Sequence, residues 1–201
     1  MSAVAGTRER LLEAARQLIE EGGYGTASVI AIAERAGLAA GTLYRHFGSK
    51  QELFVEVFRS VCDREVRAMR GAAQAMPPAS RHVERLETVF ATFAERALRR
   101  RRLAWALLAE PVDPLVDAER LAYRERYAAL VASVLRAAIA ARELPEQNVE
   151  LTAAALVGGC GEALVGPLAP VGSGPSVDEV LIALRTFVRR AAGAPDPVAV
   201  G

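Results

Sequence analysis

Apolar residues recur every three or four positions along nearly the whole chain. Near the N-terminus, Leu11, Leu12, Ala15, Leu18 and Ile19 follow this spacing, which indicates one buried face of an α-helix. No stretch alternates between apolar and polar residues for long enough to suggest a β-sheet. The pattern therefore predicts an all-α protein.

Capping residues and glycines set the boundaries of four predicted helices in the first 75 residues. Thr7 and Ser28 are suited to cap helix N-termini, and Gly37 is suited to end the second helix. Ser49 and Glu52 fit a capping box, in which the Ser49 hydroxyl accepts from the N3 amide and the Glu52 side chain reaches back. These helices are expected to begin at about Thr7, Ser28, Ala39 and Ser49 and to end at about Gly22, Ala36, His46 and Ala75.

The rest of the chain also has a helical pattern, interrupted by prolines and glycines. The breakers are Pro111, Pro114, Pro145 and the segment "GPLAPVGSGPS" at 166–176. Helices are predicted at about 80–100, 102–110, 114–142, 147–166 and 176–192. No flexible linker divides the chain, so the domain boundary is placed inside the long fourth helix, between a domain at 1–55 and a domain at 56–193. The tail at 194–201 is expected to be disordered.

Composition and charge exclude several classes of protein. The chain has 201 residues, 52% of them hydrophobic, and a net charge of +1, so disorder and a global basic field are both excluded. The N-terminus lacks an apolar signal-peptide core. The longest apolar run, 151–168, is short for a membrane span and contains Glu162 and Pro167. We therefore expect a soluble, cytoplasmic protein that does not enter a membrane.

The chain contains few of the residues that form metal sites or catalytic centres in other proteins. Cys62 and Cys160 fit a reducing compartment and are interpreted as buried apolar residues, with redox sensing as the alternative. Two cysteines and two histidines do not provide a zinc site. No nucleophile–base pair, carboxylate constellation or phosphate-cradling glycine loop is present. We therefore expect no enzymatic activity, no metal and no cofactor.

The segment at 28–50 combines a helix-turn-helix pattern with local positive charge. Two short helices are joined by "AGLAAG", and Tyr44, Arg45 and His46 follow on the second of them. Tyr44 and His46 can donate hydrogen bonds to phosphate oxygens. Lys50, the only lysine in the chain, stands at the start of the next helix, where free backbone amides suit a phosphate. This combination predicts a nucleic-acid contact.

Residues 23–54, "GYGTASVIAIAERAGLAAGTLYRHFGSKQELF", resemble the DNA-binding domain of TetR-family (TetR/AcrR type) transcriptional regulators. The resemblance implies that the helix at 39–46 enters the major groove of an operator. It implies that Thr42 and Arg45, with Ala40 and Gly41 beside them, face bases. It also implies that backbone contacts come from Tyr44, His46, Lys50 and Ser28.

Several positions depart from the pattern of that family. Ile30, Ala31, Ala39 and Ala40 stand where many members carry polar or charged side chains. Ile30 and Ala40 cannot hydrogen-bond to bases, although they can touch thymine methyl groups. The operator sequence therefore cannot be taken from any relative.

The second half matches the helical ligand-binding and dimerisation half of the same regulators in pattern only. The residues expected to line a ligand cavity, with plain core packing as the alternative, are Phe90, Phe93, Trp105, Tyr123 and Tyr127. Arg124 or Glu162 is a candidate polar anchor for the ligand. The run at 99–102, four consecutive arginines, is interpreted as a solvated face.

The last two predicted helices are candidates for a dimer interface. Four glycines, Gly158, Gly159, Gly161 and Gly166, lie in one predicted helix, where each costs roughly 1 kcal/mol relative to alanine. Close approach of another helix would offset that cost. The final helix carries an apolar seam, comprising Val177, Val180, Leu181, Leu184, Phe187 and Ala191. Two such helices from each of two chains would form a four-helix bundle, the arrangement that the family resemblance also implies.

Two functional hypotheses follow. The first is a homodimeric transcriptional regulator, usually a repressor in this family, that a small-molecule effector releases from a palindromic operator on double-stranded DNA. The alternative is an all-helical interaction or ligand-binding protein with little sequence-specific DNA binding, for which the small side chains of Ala39 and Ala40 would be the sign.

Overall fold

The computed structural model describes residues 6–170 and 174–195, and every regular element in these ranges is helical. The prediction of an all-α fold is confirmed. A short 3-10 helix, Tyr24–Thr26, separates the first two α-helices. The α-helices are α1 (Thr7–Gly22), α2 (Val29–Ala36), α3 (Gly41–His46), α4 (Lys50–Ala75), α5 (His82–Arg99), α6 (Arg101–Leu108), α7 (Pro114–Ala140), α8 (Val149–Leu168) and α9 (Val177–Ala191).

The predicted caps of α2 and α4 form through local hydrogen bonds. Ser28 accepts from the Ala31 amide at 3.1 Å, and Gly37 ends α2 in the left-handed region at a φ of 64°. Ser49 likewise accepts from the Glu52 amide at 3.1 Å. The Glu52 carboxylate, however, accepts from the Gly48 amide at 2.9 Å, so the second half of the predicted capping box is displaced by one residue.

Three other predicted boundaries were wrong. Thr7 is already helical, and Gly6 precedes it without a side-chain cap. Helix α8 continues through Pro167 and ends at Leu168, two residues beyond the predicted end. Ala194 was assigned to a disordered tail, yet it is buried and its amide donates to a carbonyl in α9. Residues 196–201 of that predicted tail lie outside the described residues.

Two hydrophobic clusters organise the fold, and α4 contributes to both. The N-terminal cluster joins α1–α4 to buried residues of α6 and α7, which are Leu103, Ala106, Val116 and Tyr123. The C-terminal cluster is built from the end of α4 and from α5, α7, α8 and α9. The N-terminal helices thus rest directly on α6 and α7. The expected domain boundary at 55/56 falls inside the unbroken α4.

Glu143, in the loop after α7, closes the N-terminus of α5. Its carboxylate accepts from the Val83 amide at 3.0 Å and lies 3.0 Å from Nδ1 of His82. Burial alone would raise the pKa of Glu143, but the hydrogen bonds with His82 and Val83 outweigh burial and lower the pKa. The ionised carboxylate therefore ties the α7–α8 loop to α5.

The outer face of α8 is apolar and largely uncovered. By length and composition alone this helix could cross a membrane, but only 28% of its apolar window is buried inside the protein. A single helix of this kind is weak evidence for a membrane span. Beside it, Ile182 and Phe187 of α9 are also exposed. Together α8 and α9 present an apolar surface that no described part of the chain covers.

Candidate DNA-binding surface and internal cavity

Helix α3 is packed onto the domain by Leu43, and by Phe47 directly after its last residue, while its other large side chains are exposed. Leu43 and Phe47, four residues apart, are buried in the N-terminal cluster. Because helical residues adjacent in sequence point in different directions, the intervening Tyr44, Arg45 and His46 face outward and are exposed. Tyr44 is 59% exposed. Large aromatic rings are usually more deeply buried, so this exposure fits a surface that contacts another molecule.

The cations near α3 differ in whether a carboxylate already neutralises them. Arg35 donates from both terminal nitrogens to Glu21, at 2.7 Å each. Among the described residues, no carboxylate pairs with Arg45, His46 or Lys50. Arg45 and Lys50 therefore present charge that remains available to a phosphate or a base.

Thr42 has a different position from the one expected. It was predicted to face bases, but it is only 6% exposed. Its Oγ1 accepts a hydrogen bond from Nη2 of Arg45 at 3.0 Å. Thr42 is therefore placed to orient the Arg45 guanidinium, and the sequence pattern alone could not show which of the two side chains was outermost.

Lys50 lies over two aromatic rings at the start of α4. Its Nζ is 5.3 Å from the Tyr24 ring centroid and 5.0 Å from that of Phe54. Such cation–π contacts hold the ammonium group in place while leaving its hydrogen-bond donors free. Partial burial lowers the pKa of Lys50.

The other predicted contact positions surround α3. Ala40 and Gly41 are exposed at its N-terminal end, and Ile30 of α2 is 63% exposed. The Ser28 oxygen accepts from the Ala31 amide as the cap of α2, while its hydroxyl proton remains available. The surface is thus mixed, with cations and hydroxyl groups beside small and apolar side chains.

A cavity of about 450 Å³ lies among α4, α5, α6, α7 and α8. Its apolar wall includes Phe90, Phe93, Tyr123 and Tyr127, all of which were expected to line it. Trp105 was also expected there but is not part of the wall. Its ring packs, half-buried, against the C-terminal cluster, because it lies on a different side of α6 from Leu103 and Leu107.

The buried tyrosine and cysteine side chains of the cavity wall have hydrogen-bond partners or are not ionised. Tyr123 donates to Asp63 at 2.7 Å and to the Arg59 carbonyl at 3.1 Å. Burial raises the pKa of Cys62 to about 12, against a smaller opposing effect of its hydrogen bond with Tyr127. Burial also raises the pKa of Cys160 to about 12. Both thiols line the cavity as neutral, unreactive groups at neutral pH.

Two of the glycines in α8 border the cavity and do not face a neighbouring helix. A Cβ added at Gly158 or Gly161 would meet no atom within 4 Å, and both residues line the cavity. Only Gly159 is closely packed, with Phe187 at 3.0 Å from the added Cβ. Close helix approach within the chain therefore explains Gly159. Gly158 and Gly161 instead leave space in the cavity wall.

Helix α6 connects the cavity with the N-terminal helices. Leu103 and Leu107 line the cavity, while Arg102 donates to the Gly22 carbonyl at 2.8 Å. Just beyond α6, Glu110 accepts from the Tyr24 amide at 3.1 Å. The sequence analysis missed this connection, since it assigned the whole arginine run to solvent.

Comparisons with known proteins agree with this arrangement. Residues 11–57 match the family model described as "Bacterial regulatory proteins, tetR family". The HTH-type transcriptional repressor KstR of Rhodococcus jostii (strain RHA1) is 37% identical over 93 residues, which are 46% of this chain and 41% of KstR. The N-terminal helix-turn-helix of the chain matches the TetR family. The match thus spans less than half of this curated relative, and its firmest part is the DNA-binding helix-turn-helix.

Solved TetR-like structures extend the likeness to nearly the whole chain, as a likeness of fold. The fatty acid degradation regulator FadR from Bacillus halodurans superposes with a TM-score of 0.78 at 19% identity, covering 93% of this chain and 96% of that one. FadR from Bacillus subtilis, solved in complex with stearoyl-CoA, has a TM-score of 0.76 at 18% identity, covering 90% and 96%. The chain accordingly has a TetR-like fold.

Proposed function

We propose that the protein is a soluble, cytoplasmic homodimeric repressor that leaves a palindromic operator when a small molecule occupies its internal cavity. The observation that carries this proposal is the shared use of α4 and α6. Both helices line the cavity, and both pack in the cluster beneath the DNA-binding helices. The similarity to the repressor KstR supports repression as the mode of regulation.

The DNA contact centres on Arg45. Its guanidinium is exposed, unpaired with any described carboxylate and hydrogen-bonded to Thr42. A guanidinium held in this way suits the O6 and N7 acceptors of guanine in the major groove. Tyr44, His46 and Lys50 would bind phosphates on either side, with Ser28 as a further donor.

Part of the operator would be recognised without hydrogen bonds. Ile30 and Ala40 are exposed and apolar, so they suit contact with thymine methyl groups. Gly41 brings the backbone of α3 close to the groove. The operator is therefore expected to contain a guanine flanked by thymines in each half-site.

Dimerisation would use α8 and α9. Leu151, Ile182 and Phe187 are large apolar side chains that remain exposed on these two helices. A second copy of the chain, packed about a twofold axis, would cover them and form a four-helix bundle. Such a dimer presents two α3 helices to half-sites about one duplex turn, roughly 34 Å, apart.

Release would follow from a ligand that prefers another separation of the two α3 helices. Cavity filling displaces α6, and α6 holds the Gly22 carbonyl through Arg102. An effector shifts the equilibrium only by its differential affinity for the two arrangements. The stearoyl-CoA complex of the similarly folded FadR supports control by a small-molecule effector.

Selection of bound duplexes from a random pool tests the DNA-binding part of this proposal. We expect enrichment of one palindrome, with a complex of two chains per duplex by sedimentation. Repeating the selection with small-molecule mixtures should show loss of the enriched duplex for some of them. If no duplex is enriched, the proposal fails and the chain is an interaction or ligand-binding protein instead.

A further inference from the structure

The charged side chains that line the cavity are predominantly cationic. The wall contains two carboxylates, Glu65 and Glu162, against six arginines, namely Arg64, Arg96, Arg99, Arg100, Arg120 and Arg124. The rest of the wall is mainly apolar, and its tyrosine hydroxyls already have partners. The arginines are therefore the source of the excess positive charge in the cavity wall.

On the α4–α5 side, three of the four arginines have carboxylate partners. Three of them form ion pairs, Arg96 with Glu65 at 2.6 Å, Arg99 with Glu95 at 2.6 Å, and Arg100 with Glu20 at 3.5 Å. The fourth is Arg64. The pKa of Glu13 is lowered chiefly by its hydrogen bond with Arg16, and the charge of Arg64 contributes at longer range. The positive charge on this side is largely compensated within the protein.

On the α7 side, Arg120 and Arg124 lie one helical turn apart, and of the two only Arg120 has a described carboxylate within ion-pair distance. No carboxylate within the described chain forms an ion pair with Arg124. Arg120 is 3.5 Å from Asp117, and it donates mainly to the Leu107, Ala106 and Glu110 carbonyls. Burial lowers the pKa of Arg120, the Asp117 carboxylate opposes that effect, and the neighbouring charge of Arg124 adds to it. An anion between these two groups would relieve both the burial and the repulsion.

We propose that the effector is an amphipathic anion, with an apolar chain in the cavity and a carboxylate or phosphate bound between Arg120 and Arg124. This inference rests on the proposed function, because it takes the cavity as the effector site. It names the chemistry of the effector and the residues that hold it. Guanidinium groups suit both anions, since their paired N–H donors match two oxygens.

The same arrangement couples the anion to α6. Arg120 donates to two carbonyls near the C-terminus of α6, Leu107 at 2.8 Å and Ala106 at 2.9 Å, and to the Glu110 carbonyl just beyond α6 at 2.7 Å. An anion bound to Arg120 competes with those carbonyls for its donors. Loss of that hold frees the helix whose Arg102 contacts the Gly22 carbonyl. The anionic group thus acts on α6 directly, in addition to the volume of the ligand's apolar chain.

Glu162 provides an internal check on the sign of the ligand's charge. It lines the cavity from α8 and, within the described residues, forms no ion pair. Its negative charge opposes an anion bound at the α7 pair. Glu162→Gln is therefore expected to strengthen binding of an anion, whereas it would weaken binding of a cationic ligand.

Calorimetric titration of the full chain with probes of one chain length tests the proposal. The probes are dodecanoate, dodecyl phosphate, dodecanol and dodecylamine, each below its micellar concentration. Dodecanoate or dodecyl phosphate should bind, and Arg124→Gln should weaken that binding about tenfold, the loss expected for one charged hydrogen bond. Arg124→Gln should leave dodecanol binding unchanged. Arg136→Gln is the matched control, since Arg136 lies on α7, pairs with Glu150 and does not line the cavity.

The outcomes separate this inference from the proposed function. Preference for dodecanol or dodecylamine over both anions overturns the anion site while leaving a cavity effector possible. Absence of binding by all four probes overturns the amphipathic class, as does equal weakening by Arg124→Gln and Arg136→Gln. Anion binding that depends on Arg124 but never releases the operator supports the site and contradicts ligand-controlled repression.

Discussion

Replacing Arg45 should separate base recognition from general attraction to DNA. Arg45 has no carboxylate partner in the described chain and is exposed, so Arg45→Ala should change the free energy of unfolding by less than about 0.5 kcal/mol. The hydrogen bonds from Arg45 to a base are worth about 1–3 kcal/mol per half-site. A symmetric dimer loses them twice, or about 2–6 kcal/mol, which weakens operator binding by about 30-fold to 10⁴-fold.

Arg35 provides a matched control on the preceding helix. Both of its terminal nitrogens are bonded to Glu21 at 2.7 Å, so Arg35→Ala should weaken operator binding by less than about threefold. Thr42→Val removes the acceptor that orients Arg45 while keeping the side-chain volume. It should produce a smaller loss than Arg45→Ala but at the same base pair.

Fluorescence anisotropy with operator and scrambled duplexes, at matched salt, measures all three variants. The loss for Arg45→Ala should be much larger on the operator than on the scrambled duplex. An equal loss on both duplexes would refute base recognition by Arg45 and would assign specificity to Ile30, Ala40 or duplex shape. A loss for Arg35→Ala as large as that for Arg45→Ala would refute the argument from ion pairing.

Other parts of the structure support four further predictions. Lys50→Ala should weaken operator and random duplex binding equally and lower the salt-dependence slope by about one unit for each phosphate that is no longer neutralised, as titrations at several salt concentrations would show. Gly161→Leu should fill the cavity and abolish ligand binding in calorimetry while the protein stays dimeric. Gly71→Leu is the control, because an added side chain there also meets no atom within 4 Å but lies outside the cavity, so this variant should bind the ligand normally. Ile182→Glu should place charge on the apolar surface of α9 and yield monomers in sedimentation; a persistent dimer would refute that interface. The pKa of Glu143 is lowered in the folded state, so its contribution to stability is present above its unfolded pKa of about 4.3 and is lost as the pH falls through the folded value. Glu143→Gln should therefore weaken the dependence of the unfolding free energy on pH in this acidic range, as unfolding measured at several pH values would show.

The sequence was most informative where the interacting groups are close together along the chain. Ser28 and Ser49 each accept from an amide three residues later, and Gly37 needs only its own backbone conformation. Such signals depend on local geometry, so helix boundaries in the DNA-binding half could be predicted closely. The four-residue spacing of Leu43 and Phe47 likewise agrees with the burial of both side chains on the inner side of this segment.

The sequence was least informative where helix rotation or distant partners decide a role. Thr42 and Arg45 both fitted a base contact, and only packing shows that Thr42 is buried beneath Arg45. Trp105 had the composition of a cavity residue, but the rotation of α6 turns it away from the cavity. Arg102 appeared to be one of four solvated arginines, because its partner at Gly22 is 80 residues away. Periodicity identifies the buried face of a helix, but it does not show which residues that face contacts.

The single lysine has a chemical consequence of its own. The ε-amine of Lys50 is the only one in the sequence, and it lies at the proposed phosphate contact. Because burial lowers its pKa, a larger fraction of this amine is unprotonated at neutral pH than for an ordinary lysine. An amine-selective acylating reagent would therefore modify the side chains of this protein at the DNA-binding surface and leave the arginine-rich remainder unmodified. Acylation would remove the positive charge, and a bound duplex would shield the amine from the reagent. Because arginine is used instead of lysine everywhere else, the extent of Lys50 acylation reports whether DNA covers that surface.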